Sequence, residues 1–436
     1  MDRVLASEAR GRAFDPRRAR QFDVKSGMKT GPEPSRLIEA GRRSASAVAT
    51  ANLPVHRAST VLFDTLEAAA AAGRGSQAGD PHITSYGTAG TPSTFALMDA
   101  LAQIEGAGHE TRAALMPSGL SAITTLFLAM LKRGDHLLVP DSVYGPTRSF
   151  CDGMLADHGI AVEYYAPGMP ASRLAERFTG HTRMLYMESP GSYTFEVQDV
   201  PALCELARTR GVLTAIDNAW ASPVFSRPFD WGVDASVLPL TKYWSGHSDV
   251  LMGAVVVRQE HWPALWRAVR QLGLCVGGDD AFLILRGLRT AHVRMHRHQH
   301  NALEVARWLE TRPEVSRVLH PALASHPQHA IWQRDFSGAS GLFSFELDRA
   351  ATGGLGEGFN VATAALCEGR RHFGIGYSWG GFESLIMPAR IEASRSVEPW
   401  RGGALVRVHI GLEDPADLIA DLEEGFEAMR QATAPR

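Results

Sequence analysis

The residues best suited to chemistry in this chain are one aspartate and one lysine in two neighbouring motifs. The segment Leu213–Trp220 indicates a short buried strand that ends in a carboxylate, Asp217. Lys242 follows among hydroxyls, aromatic rings and glycines, directly before the apolar run 250–257. A charge at the end of an apolar strand is costly to bury unless a partner compensates it. Asp217 therefore needs a cationic partner, and Lys242 needs a role in a partly buried loop.

Two kinds of site would satisfy both residues. In the first, Lys242 forms a Schiff base with the aldehyde of pyridoxal phosphate, and Asp217 pairs with the protonated pyridine nitrogen of that cofactor. In the second, the two side chains form an ordinary salt bridge. The residue types alone do not choose between these sites, so the surrounding elements must.

Those elements predict an α/β fold. Short apolar segments alternate with helical ones, which is typical of a mostly parallel sheet with helices on both faces. The predicted strands cover 113–116, 136–140, 184–187 and 213–217. Ligands bind such sheets beyond the carboxyl ends of the strands. The side chains that follow those ends, and should converge on one cleft, belong to Ser118-Gly119, Tyr144, Ser192 and Asp217.

The remaining segments predict an arm and a second domain. We expect a strand at 54–63, a helix after Thr65 and a turn-rich loop at 86–92. A long helix from about Asp279 should lead through Arg289 into a smaller α+β domain with strands at 342–347 and 405–410 and a final amphipathic helix. The predicted regions are a flexible extension (1–34), an N-terminal arm (35–92), a large domain (93–288) and a C-terminal domain (289–436).

Composition restricts the class of protein. The 436 residues are 45% hydrophobic and carry a net charge of −3, which favours a globular protein without a nucleic-acid footprint. No apolar run approaches the roughly 20 residues that a membrane span needs. The four cysteines are widely spaced and form no C-x-x-C pair, as expected in a reducing compartment. A cytoplasmic enzyme is the expectation.

Several other positions could bind a ligand. Backbone N–H groups of Gly119 and Leu120, at the start of a predicted helix, would suit a phosphate. Tyr144 could stack on a planar ring, and Arg407 could hold a carboxylate through two parallel hydrogen bonds. Each also has a purely structural interpretation. His292 lies one helical turn before another histidine, but no third ligand accompanies the pair, so we predict no metal site.

The motifs together resemble a known family. They are Glu188-Ser-Pro190, Ile216-Asp-Asn-x-Trp220, Thr241-Lys-Tyr-x-x-Gly-His-Ser-Asp249, Phe336–Phe345, Tyr377–Leu385 and Val408–Asp414. Over roughly residues 37–428 the chain resembles the Cys/Met-metabolism pyridoxal phosphate enzymes of fold type I. The resemblance implies an aspartate-aminotransferase-like fold, with a mixed, mostly parallel sheet, helices on both faces and a smaller C-terminal α+β domain.

The resemblance also implies roles for individual residues. Lys242 would be the Schiff-base lysine and Asp217 the partner of the pyridine nitrogen. The remaining cofactor contacts would come from Tyr144 on the ring and from Gly119, Leu120 and Thr241 at the phosphate. The substrate would be held by Arg407, Ser378, Trp379 and Ser192. Tyr86 would reach the site of a neighbouring subunit, which implies at least a dimer and usually a homotetramer, a dimer of dimers.

Two places favour β-elimination within this family. Gly191-Ser192-Tyr193 stands where γ-acting relatives usually have Thr-Asn-Pro, and the loop at 377–381 contains Trp379. The expected reaction cleaves cystathionine, or a related cysteine S-conjugate, to a thiol, pyruvate and ammonia. The alternatives are γ-synthase, γ-lyase or sulfhydrylase chemistry, a β-lyase of specialised metabolism, and a non-catalytic binding protein on this fold.

Two departures from the family pattern concern the phosphate. Thr88 stands where the family has an arginine that binds the cofactor phosphate of the neighbouring subunit, and Pro239 stands where many relatives have serine. Losing a charge-assisted arginine contact should weaken cofactor binding. Arg57 and Arg112 are candidates to compensate.

Overall fold

The computed structural model describes residues 33–42, 50–80, 82–356, 358–391 and 395–434. Its larger sheet contains β1 (Thr111–Met116), β2 (His136–Pro140), β3 (Ala161–Tyr165), β4 (Thr182–Glu188), β5 (Leu213–Asp217), β6 (Ala235–Leu238) and β7 (Gly253–Arg258). Its smaller sheet contains β8 (Val315–Leu319), β9 (Leu342–Leu347), β10 (Phe373–Gly374), β11 (Ser384–Pro388) and β12 (Leu405–His409).

The helices lie mainly between those strands. In chain order they are α1 (Glu33–Glu39), α2 (Leu66–Ala78), α3 (Pro92–Gly106), α4 (Gly119–Met130), α5 (Gly145–Phe150), α6 (Ala171–Leu174), α7 (Val200–Thr209), α8 (Ser222–Phe225), α9 (Trp262–Gln271), α10 (Gly278–Leu288), α11 (Ala291–Leu309), α12 (His329–Asp335), α13 (Val361–Cys367) and α14 (Pro415–Thr433). In the part of the chain that the structure describes, none of these helices is long and apolar enough to cross a membrane.

The strand order of the larger sheet is β1-β7-β6-β5-β4-β2-β3. Only β7 runs antiparallel to its neighbours, so the carboxyl ends of the other strands meet at one edge. Because both faces are covered, β2 and β6 are buried along their whole length. The predicted α/β fold with a mixed, mostly parallel sheet is confirmed.

The smaller sheet has the order β10-β11-β12-β9-β8, and all its pairs are antiparallel except β10 with β11. It forms a second hydrophobic core with α11, α13 and α14. In β12 the neighbours of Arg407 are fully buried, whereas Arg407 itself is partly exposed. The strand therefore presents one guanidinium from an otherwise apolar element.

Several predictions about individual segments were wrong. Residues 54–63 form no strand: the segment has a bend at 59–60 and is mostly exposed or half-buried, and no strand of the described residues pairs with it, so its β-branched residues do not decide its structure. The predicted long helix is two helices, because α10 ends at Leu288 and α11 begins at Ala291. Between them Arg289 donates hydrogen bonds to the backbone oxygens of Leu37 and Ala40. The predicted extension at 1–34 lies outside the described residues, apart from its last two positions.

Candidate active site

The cleft lies at the edge where the strands of the larger sheet end. Asp217 ends β5 and Glu188 ends β4, and the two are paired in register. Lys242 lies in the turn between β6 and β7, where its N–H donates to the backbone oxygen of Pro239 at 3.1 Å. Thr241, the residue before it, exchanges backbone and side-chain hydrogen bonds with Met252. The lysine is thus carried by a tightly hydrogen-bonded turn.

The Lys242 amine faces the smaller sheet. Its Nζ donates to Ser378 Oγ at 2.8 Å and lies 4.8 Å from the centre of the Trp379 ring. Burial and, to a smaller extent, the charge of Arg407 lower the pKa of Lys242, Asp217 opposes both effects, and the net result is a pKa of about 8. About a tenth of this amine is therefore uncharged at pH 7, and this fraction can act as a nucleophile or a base.

Asp217 is buried, and its pKa is raised to about 7 by that burial. One carboxylate oxygen accepts a hydrogen bond from the Ala219 N–H at 2.9 Å. In the described part of the chain no Lys or Arg nitrogen lies within 4 Å of this carboxylate, although Lys242 is near enough to lower its pKa. A direct salt bridge between Asp217 and Lys242 is therefore not what explains the two charges.

Glu188 accepts hydrogen bonds from two predicted site residues. One of its oxygens accepts the Tyr144 N–H at 2.7 Å, and the other accepts the Ser192 hydroxyl at 2.6 Å. Burial and the nearby charge of Asp217 raise the pKa of Glu188 to about 8. Tyr144 directly precedes α5 as its N-cap residue and is 43% exposed, so its ring can stack on a ligand.

Arg407 closes the other side of the cleft. Its Nη2 donates to the backbone oxygens of Gly376, Tyr377 and Ser378 at 3.1, 3.2 and 3.4 Å. Its Nε and Nη1 groups have no hydrogen-bond partner among the described residues, so both are free for a carboxylate. Burial lowers the pKa of Arg407, but a guanidinium stays charged at any physiological pH.

Free donors also lie at the start of α4. Ser118 caps this helix by accepting the Ser121 N–H, and no partner among the described residues takes the N–H groups of Gly119 and Leu120. A Cβ on Gly119 would lie 2.9 Å from the Cβ of Pro239, so the backbone of Gly119 lies directly against Pro239. Two N–H donors at a helix start can bind an anion.

Four other predicted positions are not brought into the cleft of one chain. Tyr86 is 50% exposed, and its hydroxyl has no hydrogen-bond partner among the described residues. Thr88 follows in a 3-10 turn, Gly87–Ala89. Arg57 forms a two-point ion pair with Asp279 on the surface. Arg112 lies near the amino end of β1, away from the cleft, and donates to Gln259.

The histidines on α11 do not indicate a metal site. The Nε2 atoms of His292 and His296 are 3.1 Å apart, and the His296 ring lies edge-on to Phe225. Among the described residues no group of three histidine, cysteine or acidic side chains could hold a metal ion.

Residue patterns missed two parts of the site. Glu188 follows a predicted strand end as Asp217 does, so the same rule could have identified it. His409 and His298, buried behind Lys242, gave no sequence signal, because they come together only when β12 packs on α11.

The chain is similar to known proteins over most of its length. The model of a family described as Cys/Met metabolism PLP-dependent enzymes matches residues 35–427. A Rhizobium johnstonii protein that carries a provisional name as a cystathionine β-lyase is 48% identical over 377 residues, 86% of this chain and 91% of that protein. The Escherichia coli cystathionine β-lyase MetC is 37% identical over 398 residues, 90% and 97% of the two chains.

Two further similar proteins are named for other reactions. The Wolbachia pipientis protein named L-alanine/L-glutamate racemase is 39% identical over 398 residues, 89% of this chain and 96% of that one. The crystal structure of cystathionine γ-synthase from Xanthomonas oryzae in complex with cystathionine superposes with a TM-score of 0.80 at 30% identity. It covers 93% of this chain and 100% of that one.

Proposed function

Because the chain belongs to the Cys/Met-metabolism family of pyridoxal phosphate-dependent enzymes, we propose that it is a carbon–sulfur β-lyase acting on cystathionine or a related cysteine S-conjugate. The observation that carries this proposal is the position of the Lys242 amine, between Ser378, Trp379 and the buried Asp217. Water and cystathionine would be converted to homocysteine, pyruvate and ammonia.

The residues present fit the cofactor. Asp217 is a buried carboxylate with one oxygen that accepts no hydrogen bond from the described residues, as a pyridine N–H would require. Tyr144 has an available ring face, and Lys242 an amine of lowered pKa. The unpartnered N–H groups of Gly119 and Leu120 suit the phosphate, and Thr241 would support them from the adjoining turn. When bound, the cofactor supplies an electron sink that acidifies the Cα proton of an amino acid.

Side chains of the protein would then orient the substrate and transfer its protons. Arg407 orients the substrate carboxylate through Nε and Nη1, and Ser378 lies beside it. The Lys242 amine would hold the cofactor aldehyde and, when free, would accept the Cα proton of the substrate. The Cβ–S bond would break with its electron pair on sulfur, and the Lys242 ammonium would protonate the departing thiolate to the thiol. Trp379 and Ser192 border the substrate and limit access of water.

We also propose a homotetramer, a dimer of dimers, in the cytoplasm. Tyr86 is exposed in its own chain, and the neighbouring Leu62 and Leu66 are 90% and 91% exposed, which supports an arm that docks on another copy. In that arrangement Tyr86 would complete the partner's cleft. The four cysteines are free thiols, as a reducing compartment favours.

Product analysis tests this function. Purified protein is incubated with cystathionine, cystine and several S-substituted cysteines, and pyruvate, 2-oxobutyrate and thiol are measured. Pyruvate with stoichiometric thiol is expected; 2-oxobutyrate instead would identify γ-elimination. Because a 39% identical relative is named a racemase, L-alanine is included, and formation of D-alanine without pyruvate from any sulfur substrate would replace the proposal with racemisation.

A further inference from the structure

A buried cluster lies directly behind the lysine and is composed of Tyr243, His298, His409 and Arg294. We propose that this histidine cluster, through His409, is a positioning device that holds the loop 377–381 against Lys242 and so sets the orientation of its amine. The inference rests on the proposed function and concerns residues for which that function assigns no role. These residues touch neither substrate nor cofactor, so they act through Lys242, Ser378 and Trp379.

The first link joins His409 to the loop. Its Nε2–H donates to the backbone oxygen of Gly381 at 3.1 Å. The preceding residue, Gly380, has a φ of +91°, and a Cβ there would lie 2.9 Å from the Tyr243 nitrogen. The loop therefore lies on the backbone of the lysine turn with no room for a side chain, and only a glycine adopts this conformation easily. Holding the Gly381 carbonyl keeps that contact closed.

The second link joins the cluster to the other side of the lysine. Tyr243 directly follows Lys242, and its ring centre lies 5.5 Å from that of Trp379, 5.7 Å from that of His409 and 5.2 Å from that of His298. The Tyr243 hydroxyl accepts the Gly341 N–H at 2.9 Å. One buried ring thus connects the lysine backbone, the tryptophan beneath the amine and both histidines.

The cluster is anchored at its far side as well. His298 Nδ1–H donates to the backbone oxygen of Ile410 at 2.8 Å, and so fixes the end of the strand that carries His409. Arg294 donates to the Gly287 oxygen and packs over Gly246, where a Cβ would collide with its guanidinium. Burial lowers the pKa of His298 to about 4 and that of His409 well below its usual value. Both imidazoles are therefore neutral, and each uses its single N–H on a backbone carbonyl.

These contacts distinguish positioning from simple core packing. A second core histidine offers the comparison: His320 is fully buried against Trp220 and Phe343, its ring accepts the Ala322 N–H, and it makes no hydrogen bond to the loop 377–381 among the described residues. Loss of the His409 donor should disturb the cleft, whereas loss of the His320 side chain should lower only the stability of the fold.

The experiment compares His409→Leu and His409→Asn with His409→Gln and with His320→Gln, all as cofactor-loaded enzyme. Leucine removes the donor, and the shorter asparagine cannot reach the Gly381 oxygen, whereas the Nε2 of glutamine can replace it. The readouts are kcat and KM for cystathionine, the circular dichroism of the bound cofactor in its visible band, cofactor stoichiometry and Tm.

For the leucine and asparagine variants we expect about a 10-fold loss of kcat and a visible dichroism reduced by about half, with full cofactor content. His409→Gln should recover most of both signals, and His320→Gln should lower only Tm. The asparagine variant alone decides the outcome if the leucine variant does not fold. A kcat within twofold of the His320→Gln control together with undiminished dichroism, or no recovery with glutamine, would overturn the proposal. If wild-type protein turns over no sulfur amino acid, the proposed function fails while the dichroism comparison still tests the cluster.

Discussion

Replacing Arg407 by lysine should separate the positive charge at this position from its hydrogen-bonding geometry. In the structure the Nη2 group is occupied by three backbone oxygens at 3.1–3.4 Å, and only Nε and Nη1 remain for a substrate carboxylate. A lysine ammonium has three N–H donors in all. The backbone oxygens of Gly376, Tyr377 and Ser378 would accept all three of these donors. The variant would therefore keep its positive charge but lose the two-point contact with the substrate carboxylate.

The size of the effect follows from what is lost. Hydrogen bonds to charged groups contribute about 1.5–3 kcal/mol each, and two are removed here. Part of the attraction survives because the ammonium is still positive and close, so we expect a net loss of about 2–4 kcal/mol. Since each 1.4 kcal/mol is a factor of ten, kcat/KM should fall by roughly 30- to 1000-fold. Most of the change should fall on KM, because the carboxylate is bound before and during the reaction.

Pyruvate release over a wide range of cystathionine concentrations measures this effect. Arg317→Lys is the matched control, because Arg317 lies in the same sheet and pairs with Glu346 on the surface. That variant should match wild type within about twofold, as surface ion pairs contribute little. If Arg407→Lys raised KM less than about threefold, the substrate carboxylate would be held elsewhere and the assignment of this arginine would be wrong.

Three further predictions concern the rest of the cleft. Lys242→Ala should abolish turnover and the visible absorption of the bound cofactor; normal pyruvate release from this variant would refute the assignment of the lysine. Thr88→Arg should slow the loss of cofactor during dialysis of the assembled enzyme, and unchanged retention would show that another group already binds the phosphate. The ordinary pKa of Glu188 is 4.5, and burial and Asp217 raise it to about 8 in the folded chain. The unfolded chain therefore loses this proton at a lower pH than the folded chain does. As a result, the free energy of unfolding should fall as pH rises from about 5 to 8. Glu188→Gln should flatten that fall by roughly 1 kcal/mol per pH unit or less, as measured by urea titrations of cofactor-free protein, and an equal slope in both proteins would contradict the raised pKa.

Much of the site could be predicted from sequence because strand ends are local signals. Asp217, Tyr144 and Ser192 each follow a short apolar strand, and a parallel sheet brings such ends to one edge whatever the loops do. Glu188 obeys the same rule. The fold was predictable for the same reason, since its strands are buried on both faces and read as continuous apolar runs.

Other features depend on contacts between distant segments. The cluster of Tyr243, His298 and His409 joins a turn, α11 and β12, which are more than 50 positions apart in the chain at each step. The segment 54–63 has the residue composition of a strand but no partner strand in the part of the chain that the structure describes, so its composition misled the prediction. Tyr86 is likewise exposed in its own chain, and we predict that its contacts belong to another copy.

The cleft should bind the cofactor phosphate near the start of α4, and this region differs from the family pattern. We therefore expect the region around Lys242 to be more important for holding the cofactor in this chain. In the described part of one chain, no lysine or arginine side chain is hydrogen-bonded to Ser118, Gly119 or Leu120, and Pro239 presents only carbon to that helix start. Helix N–H groups and the helix dipole can hold a phosphate, but a charge-assisted arginine contact is roughly twice as strong as a neutral one. We therefore expect cofactor retention to depend more heavily on Asp217 and on the predicted bond to Lys242. A rigid support behind that lysine should then have more effect here than in family members that have the arginine.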